Sequence, residues 1–365
     1  MKLSYLKKWA LITFLLQFLV SLTLQANQEV LSSYRVDSPT EQQLAEIAAR
    51  YEIASREGAS YEVVVPRIFK SNFLKIAPEA QLVTEDLREE LVQSLARNQD
   101  YLADYRSYDQ VYSYLQGIAE RYPQIATLQT YGKSSKGNPL YVLKLTNKNS
   151  RFSSKPALLI DAATHGDEII TTEVLLRLLE QLVQGYGNDA EITRFIDRTT
   201  LLFVPVVNAD GFVSRNRYES GYTDPNRSYP YPGEPSRKPA TCIAALISLA
   251  NQERIAGALD IHAYGELIMY PWAYTTVPID EAATQKDFDS LTTAMSANNG
   301  YKHGQISKLI YVAKGSSADY YYWKMGTLAI ALEIGRSKAP AGREIERQVT
   351  AIKPALWTFI RRFAG

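Results

Sequence analysis

Apolar and polar positions along the chain predict a small αβ unit followed by a large one. Tyr34-Arg35-Val36 reads as a short strand. Ser38-Pro39-Thr40-Glu41 then reads as a helix start, with an N-cap, Pro in the first helical position and a capping-box Glu. The helix that follows sets Leu44, Ile47, Ala48 and Tyr51 on one face. Tyr61-Glu62-Val63-Val64-Val65 is a β-branched strand closed by Pro66. Helical stretches over 68–74 and 85–96 complete this unit, which runs from 27 to 104. A polar, tyrosine-rich linker spans 97–108. Beyond it the pattern predicts helices over 108–121, 168–182 and 343–363, the last with Pro354 inside it. Strands are expected at 140–145, 157–162, 201–207, 256–261 and 327–334. Ala157 to Ala162 is apolar apart from Asp161, as in a strand buried on both faces. The alternation predicts an α/β fold: a mixed, mainly parallel central sheet with helices on both faces, preceded by a small α+β unit.

Composition narrows the function classes. The 365 residues carry 40 Lys+Arg against 39 Asp+Glu, a net charge of +1, so no global basic field exists to grip nucleic acid. Hydrophobic content of 46% and charged content of 22% exclude a wholly disordered chain. Cys242 is the single cysteine, which rules out an intrachain disulfide framework. At the N-terminus Lys2, Lys7 and Lys8 precede a short apolar run ending at Leu24-Gln25-Ala26. That is the layout of a secretory signal peptide over 1–26, too short to span a bilayer. The expected mature protein is secreted or periplasmic, with no stable membrane insertion.

Chemistry concentrates on the histidines, of which there are three, His165, His262 and His303. In Asp161-Ala162-Ala163-Thr164-His165-Gly166-Asp167-Glu168 a strand leads through a loop into a helix, and His165 and Glu168 can face one point. Leu259-Asp260-Ile261-His262 places a second histidine at another strand end, where open α/β sheets bind ligands. Two His and one Glu with an open fourth position form the ligand set of a catalytic zinc. His303 reads as surface or loop.

Six pieces in order make the likeness specific: His165-Gly166-Asp167-Glu168, Asn208-Ala209-Asp210-Gly211, Asp224-Pro225-Asn226-Arg227, Ile261-His262-Ala263-Tyr264, Ile310-Tyr311 and Leu332-Glu333-Ile334-Gly335. In these the chain resembles the zinc carboxypeptidases of the carboxypeptidase A/B type over residues 108–365. Residues 27–104 are similar, in element order, to the open-sandwich pro-segments of that family. The resemblance implies one Zn2+ held by His165, Glu168 and His262, with Asp224 orienting His165 and Glu333 as general base. It further implies that Arg217 polarises the scissile carbonyl, with Arg215 a nearby competitor. Asn226, Arg227 and Tyr311 would grip the terminal carboxylate of the substrate, for which a planar guanidinium fork is suited.

By the same resemblance the side-chain pocket is lined by Met269, Ala273, Ile306, Ile310, Ala313, Ala318 and Ala331. Ala318 stands where members that cut after Lys or Arg carry Asp at or near the pocket base, so an apolar or aromatic C-terminal residue is expected. Asp260 is the one nearby charge, open to a role at the metal site. The chain departs from the family at Asp167, where many members carry Arg or Asn, and at Ala209 and Pro225. The expected activity is a zinc carboxypeptidase acting on peptide C-termini, made as a proenzyme that a processing protease opens near Arg97 or Arg106. Two alternatives stay open: a cell-wall peptide carboxypeptidase of the same family, and a non-catalytic peptide-binding relative.

Overall fold

A computed structural model describes residues 30–57, 59–86, 104–152, 154–220 and 223–365. The expected signal peptide, most of the helix at 85–96 and Arg97 lie outside the described residues; 85 and 86 are not helical. The chain divides into two compact units, 1–98 and 99–365.

The first unit runs β1 (Leu31–Asp37), α1 (Glu41–Arg50), β2 (Glu52–Glu57), β3 (Ser60–Pro66), α2 (Lys70–Ile76) and β4 (Gln81–Thr84). Its sheet has the order β2-β3-β1-β4, with every neighbour antiparallel. The α1 start lies two residues later than the sequence predicts. Ser38 takes a left-handed φ of 48°, and Thr40 is the cap, its Oγ1 accepting the Gln43 N–H at 3.1 Å while Gln43 Oε1 accepts the Thr40 N–H at 2.9 Å. Gln43 rather than Glu41 therefore closes the capping box. Tyr34, Ile47, Tyr51, Val63 and Phe73 form this unit's core.

The second unit opens with α3 (Tyr108–Arg121), β5 (Ala126–Lys133), β6 (Pro139–Leu145), β7 (Ala157–Ala162), α4 (Ile169–Gly185), α5 (Ala190–Arg198), β8 (Thr200–Val204) and α6 (Ala209–Ser214). It continues through α7 (Thr241–Glu253), β9 (Ile255–His262), β10 (Leu267–Tyr270), α8 (Ala282–Ser296), β11 (Lys302–Gln305), α9 (Ile306–Leu309), α10 (Ser317–Met325), β12 (Leu328–Glu333) and α11 (Arg343–Ala364). Eight strands form one sheet in the order β11-β10-β12-β9-β7-β8-β6-β5. Its centre, β12-β9-β7-β8, is parallel, and β10-β12, β6-β8 and β5-β6 are antiparallel.

Alternate residues of β7 feed two cores. Leu158, Ile160 and Ala162 pack with α3, α4, α5, α8 and α11, whereas Ala157 and Leu159 face α7 and α10. The α/β sandwich expected from the pattern is the fold observed. Because β7, β9 and β12 run parallel, their C-terminal ends lie together, and this edge carries the chemistry.

Candidate metal centre and active site

At the end of β7 the chain turns sharply, with Ala163 at a left-handed φ of 48° and its N–H donating to Thr171 Oγ1 at 3.1 Å. The turn is backed by Gly166, whose missing side chain is a requirement. A Cβ there would lie 2.0 Å from the Gly211 carbonyl carbon and 2.2 Å from the Phe212 nitrogen. The loop bearing His165 thus rests directly on the backbone of α6. Glu168 precedes α4 without capping it, so its carboxylate is free to turn into the site.

His262 is the last residue of β9. His165, Glu168 and His262 are 4%, 2% and 2% exposed, and one ligand atom from each lies within 4.8 Å of the others. His165 Nδ1 is 2.8 Å from Glu168 Oε1 and 3.2 Å from His262 Nδ1, which in turn is 3.1 Å from Glu168 Oε2. Two imidazole nitrogens and a carboxylate facing one buried point make a cradle that a divalent cation satisfies, and N/O donors of this kind suit zinc.

The outer nitrogens fix the rings. His165 Nε2 is 3.2 Å from Asp224 Oδ1, and His262 Nε2 is 2.9 Å from Asp260 Oδ2. With Nδ1 turned to the cradle, Nε2 carries the proton and donates to the carboxylate, the usual arrangement around a metal-bound histidine. Asn226 Nδ2, 3.0 Å from His262 Nε2, is itself a donor and does not compete for that proton. Burial opposes the charge on His262, but Asp260 and Glu168 outweigh it and hold the imidazole well above its usual range. Burial likewise opposes ionisation of Glu168 and Asp224. The histidines outweigh it at Glu168, and Arg217 and His165 at Asp224, so both carboxyls are held well below the usual range.

Glu333 ends β12 directly opposite His262 in the parallel register. Burial pushes its carboxyl up to about 8, against the pull of His262 and with the push of Glu168. Its buried Oε2 receives no hydrogen bond from the described residues. Arg217 is 5% exposed, with Nε and Nη2 on Asp224 Oδ2 at 3.0 and 2.9 Å and Nη1 3.1 Å from His165 Nδ1. Arg215 lies away from the cradle: its guanidinium sits over the Phe212 ring and donates to the Arg106 carbonyl at 3.1 Å. Arg227 Nη2 donates to Tyr311 Oη at 2.9 Å, and Asn226 Oδ1 accepts the Ser317 N–H at 2.9 Å. Ala318 is buried in one apolar cluster with Met269, Ala273, Ile306, Ala313 and Ala331, against which Ile310 packs. His303 is exposed, on edge strand β11 rather than in a loop.

Sequence reasoning left Asp260 open and missed Ser317 and Thr164, which donate to it at 2.6 and 3.1 Å. The spacing Asp-x-His on a strand was the available signal, since residues two apart share a face. Also missed was the Lys338 Nζ–Asp167 Oδ2 ion pair at 2.8 Å beside Glu168.

The profile of the zinc carboxypeptidases (Peptidase M14) matches residues 111–354. Human carboxypeptidase A1 is 26% identical over 305 residues, covering 73% of this chain and 68% of that protein. Metallocarboxypeptidase A of Trichophyton tonsurans is 28% identical over 314 residues, covering 72% and 74%. Among solved structures, carboxypeptidase A of Helicoverpa armigera superposes with a TM-score of 0.75 at 19% identity, covering 93% of this chain and 98% of that one. The family match falls across the strands and loops that assemble the cradle, and this chain belongs to the zinc carboxypeptidase family, as a metallocarboxypeptidase.

Proposed function

We propose that the protein is an exported carboxypeptidase that removes apolar or aromatic residues from peptide C-termini. The observation that carries this reading is the convergence of His165, Glu168 and His262 with Glu333 one strand away. His165, Glu168 and His262 would hold the zinc, which when bound would supply Lewis acidity toward a carbonyl and a water. Glu333 takes the proton of the attacking water and delivers it to the leaving amine, using a carboxylate oxygen that no described residue hydrogen-bonds. Arg217, fixed by Asp224, offers Nη1 to the developing oxyanion. Arg227 and Tyr311, already hydrogen-bonded to each other, with Asn226 beside them, bind the terminal carboxylate.

The apolar cluster around Ala318 supports the specificity. Burying a large ring there gains roughly 2–3 kcal/mol, whereas a cation without a counter-charge loses several kcal/mol. Asp260 is engaged by His262, Ser317 and Thr164, so it is not offered to a basic side chain, and the cell-wall reading gains nothing from it.

The N-terminal unit acts as the pro-segment of a latent enzyme. Of the two arginines considered for processing, Arg106 is embedded: its N–H donates to Glu173 Oε1 at 2.8 Å, its guanidinium pairs with Glu173 Oε2, and Ser107 caps α3. Processing therefore falls before Tyr105. Export rests on the segment 1–26; among the described residues no helix is long and apolar enough to cross a membrane.

A matched pair of blocked dipeptides ending in Phe and Arg tests the specificity, with kcat/KM expected higher for Phe. A higher value for Arg overturns the apolar reading. Equal hydrolysis of a small substrate by the full chain and by protein cleaved before Tyr105 overturns latency.

A further inference from the structure

Between β10 and α8 the chain runs through 271–280 as neither helix nor strand, and Ala273 from this stretch joins the apolar cluster around Ala318. Irregular backbone inside a protein must still find partners for its polar groups. Here the carbonyls are met by three neighbours. Trp272 O accepts the Ser307 N–H at 3.2 Å, and Ala273 O accepts the Ala313 N–H at 2.8 Å. Thr275 O accepts from Ser307 Oγ at 2.7 Å and from Gln305 Nε2 at 2.9 Å, and Val277 O accepts from Gln305 Nε2 at 3.0 Å.

Two N–H groups of the stretch go to one side chain. Asp319 Oδ1 accepts the Ala273 N–H at 2.7 Å, and Oδ2 accepts the Tyr274 N–H at 2.8 Å. Asp319 is fully buried in the first turn of α10, where its own N–H donates to the cap, Ser316 Oγ, at 3.3 Å. An acidic residue three places after a serine cap can turn back to close a capping box. This one reaches across to the 271–280 stretch instead. The groups that offset its burial are the Ala273 and Tyr274 N–H and the Ser316 hydroxyl, and no cation among the described residues joins them. Bracing and lining come from the same short pieces of chain. Gln305 and Ser307 flank Ile306, Ala313 lines the cluster itself, and Asp319 follows Ala318.

We propose that Asp319 is a specificity-determining positioning residue, which by holding the Ala273 and Tyr274 N–H groups fixes the Ala273 wall of the side-chain pocket to α10 and so sets the size of residue the pocket selects. It acts through Ala273 rather than on the reacting atoms. The inference rests on the reading of the Ala318 cluster as that pocket. Without the carboxylate two main-chain N–H groups would lack their acceptors, a cost that drives the stretch to shift toward other partners. A wall free to shift still admits a small side chain but no longer packs a ring. The binding lost is that made by the ring, so KM changes and the chemical step does not.

The test compares wild-type protein with Asp319→Asn on blocked dipeptides ending in Phe, Leu and Ala. Asparagine has nearly the same shape, but it can accept one of the two N–H groups while turning an NH2 donor on the other. The expected result is full zinc content, a higher KM with unchanged kcat on the Phe substrate, and a ratio of kcat/KM for Phe over Ala lowered about tenfold or more. A wild-type ratio in Asp319→Asn overturns the proposal. So does an equal loss on all three substrates, which would mark a merely structural role. Wild-type protein with no preference among Phe, Leu and Ala overturns the apolar-pocket reading itself, and the proposal with it. Amide hydrogen exchange on the wild-type protein decides the matter if Asp319→Asn does not fold. The Ala273 and Tyr274 N–H groups should be protected in the absence of peptide, because the wall is formed beforehand, and rapid exchange at either one overturns the proposal.

Discussion

Glu333→Gln should move activity and stability in opposite directions. In the metal-free protein burial raises the Glu333 carboxyl from 4.5 to about 8. A folded-state pKa above the unfolded one means that the folded chain binds the extra proton. The contribution is then whole below the unfolded value and fades as pH rises toward the folded value. Each unit of difference is worth about 1.4 kcal/mol, so deprotonating this buried group costs on the order of a few kcal/mol across that window. Glutamine has nearly the same shape and no charge to bury. Metal-free Glu333→Gln should match wild type near pH 4 and exceed it in stability at about pH 9. In the zinc-loaded enzyme the same change removes the base and none of the three ligands, so metal content should hold. Loss of a general base lowers turnover about 10²- to 10⁴-fold, or roughly 3–5 kcal/mol of barrier. Urea unfolding of the metal-free proteins at several pH values and kcat on a blocked dipeptide measure both halves. Wild-type turnover in Glu333→Gln would refute the base assignment. A stability difference that does not vary with pH would refute the account of a carboxyl raised by burial.

Arg106→Ala should cost up to about 3–5 kcal/mol, because it takes the ion-pair partner from Glu173, which is 1% exposed and keeps only the backbone N–H of residue 106 and the more distant Arg177 and Arg215. Adding Glu173→Gln should restore much of that loss in thermal unfolding. Gly166→Ala should destabilise by at least about 3 kcal/mol and weaken zinc binding, since its methyl group would collide with the α6 backbone rather than with a movable side chain. Ala318→Asp should invert the preference between Phe- and Arg-terminated dipeptides by a hundredfold or more in the ratio of kcat/KM, the equivalent of several kcal/mol for a buried counter-charge.

What the sequence disclosed follows from burial. β7, β9 and β12 are apolar on both faces because helices cover both, and that continuous pattern is read without a structure. The edge strands escaped the reading. β11 is Lys-His-Gly-Gln and β2 is Glu-Ile-Ala-Ser-Arg-Glu, segments whose strand state comes from hydrogen bonding to a neighbour rather than from their own pattern. The α1 cap was displaced because Ser38 and Thr40 are both good caps, and only the left-handed backbone at Ser38 decides between them. In the site, His165 and Glu168 were legible as close neighbours in the chain. Their meeting with His262 depends on β7 and β9 lying side by side, a contact 97 residues long in sequence. Asp260 and Asp161 were in plain view in the strands, but their pairing is a matter of register, which a single chain does not spell out.

Metal content and peptidase activity measured together on His262→Ala and wild-type protein test the central claim most directly. The account predicts about one zinc per wild-type chain, hydrolysis of a blocked C-terminal dipeptide that a chelator abolishes and added zinc restores, and loss of both metal and activity in His262→Ala. Hydrolysis that persists in metal-free protein, or full zinc occupancy and turnover without His262, would contradict it.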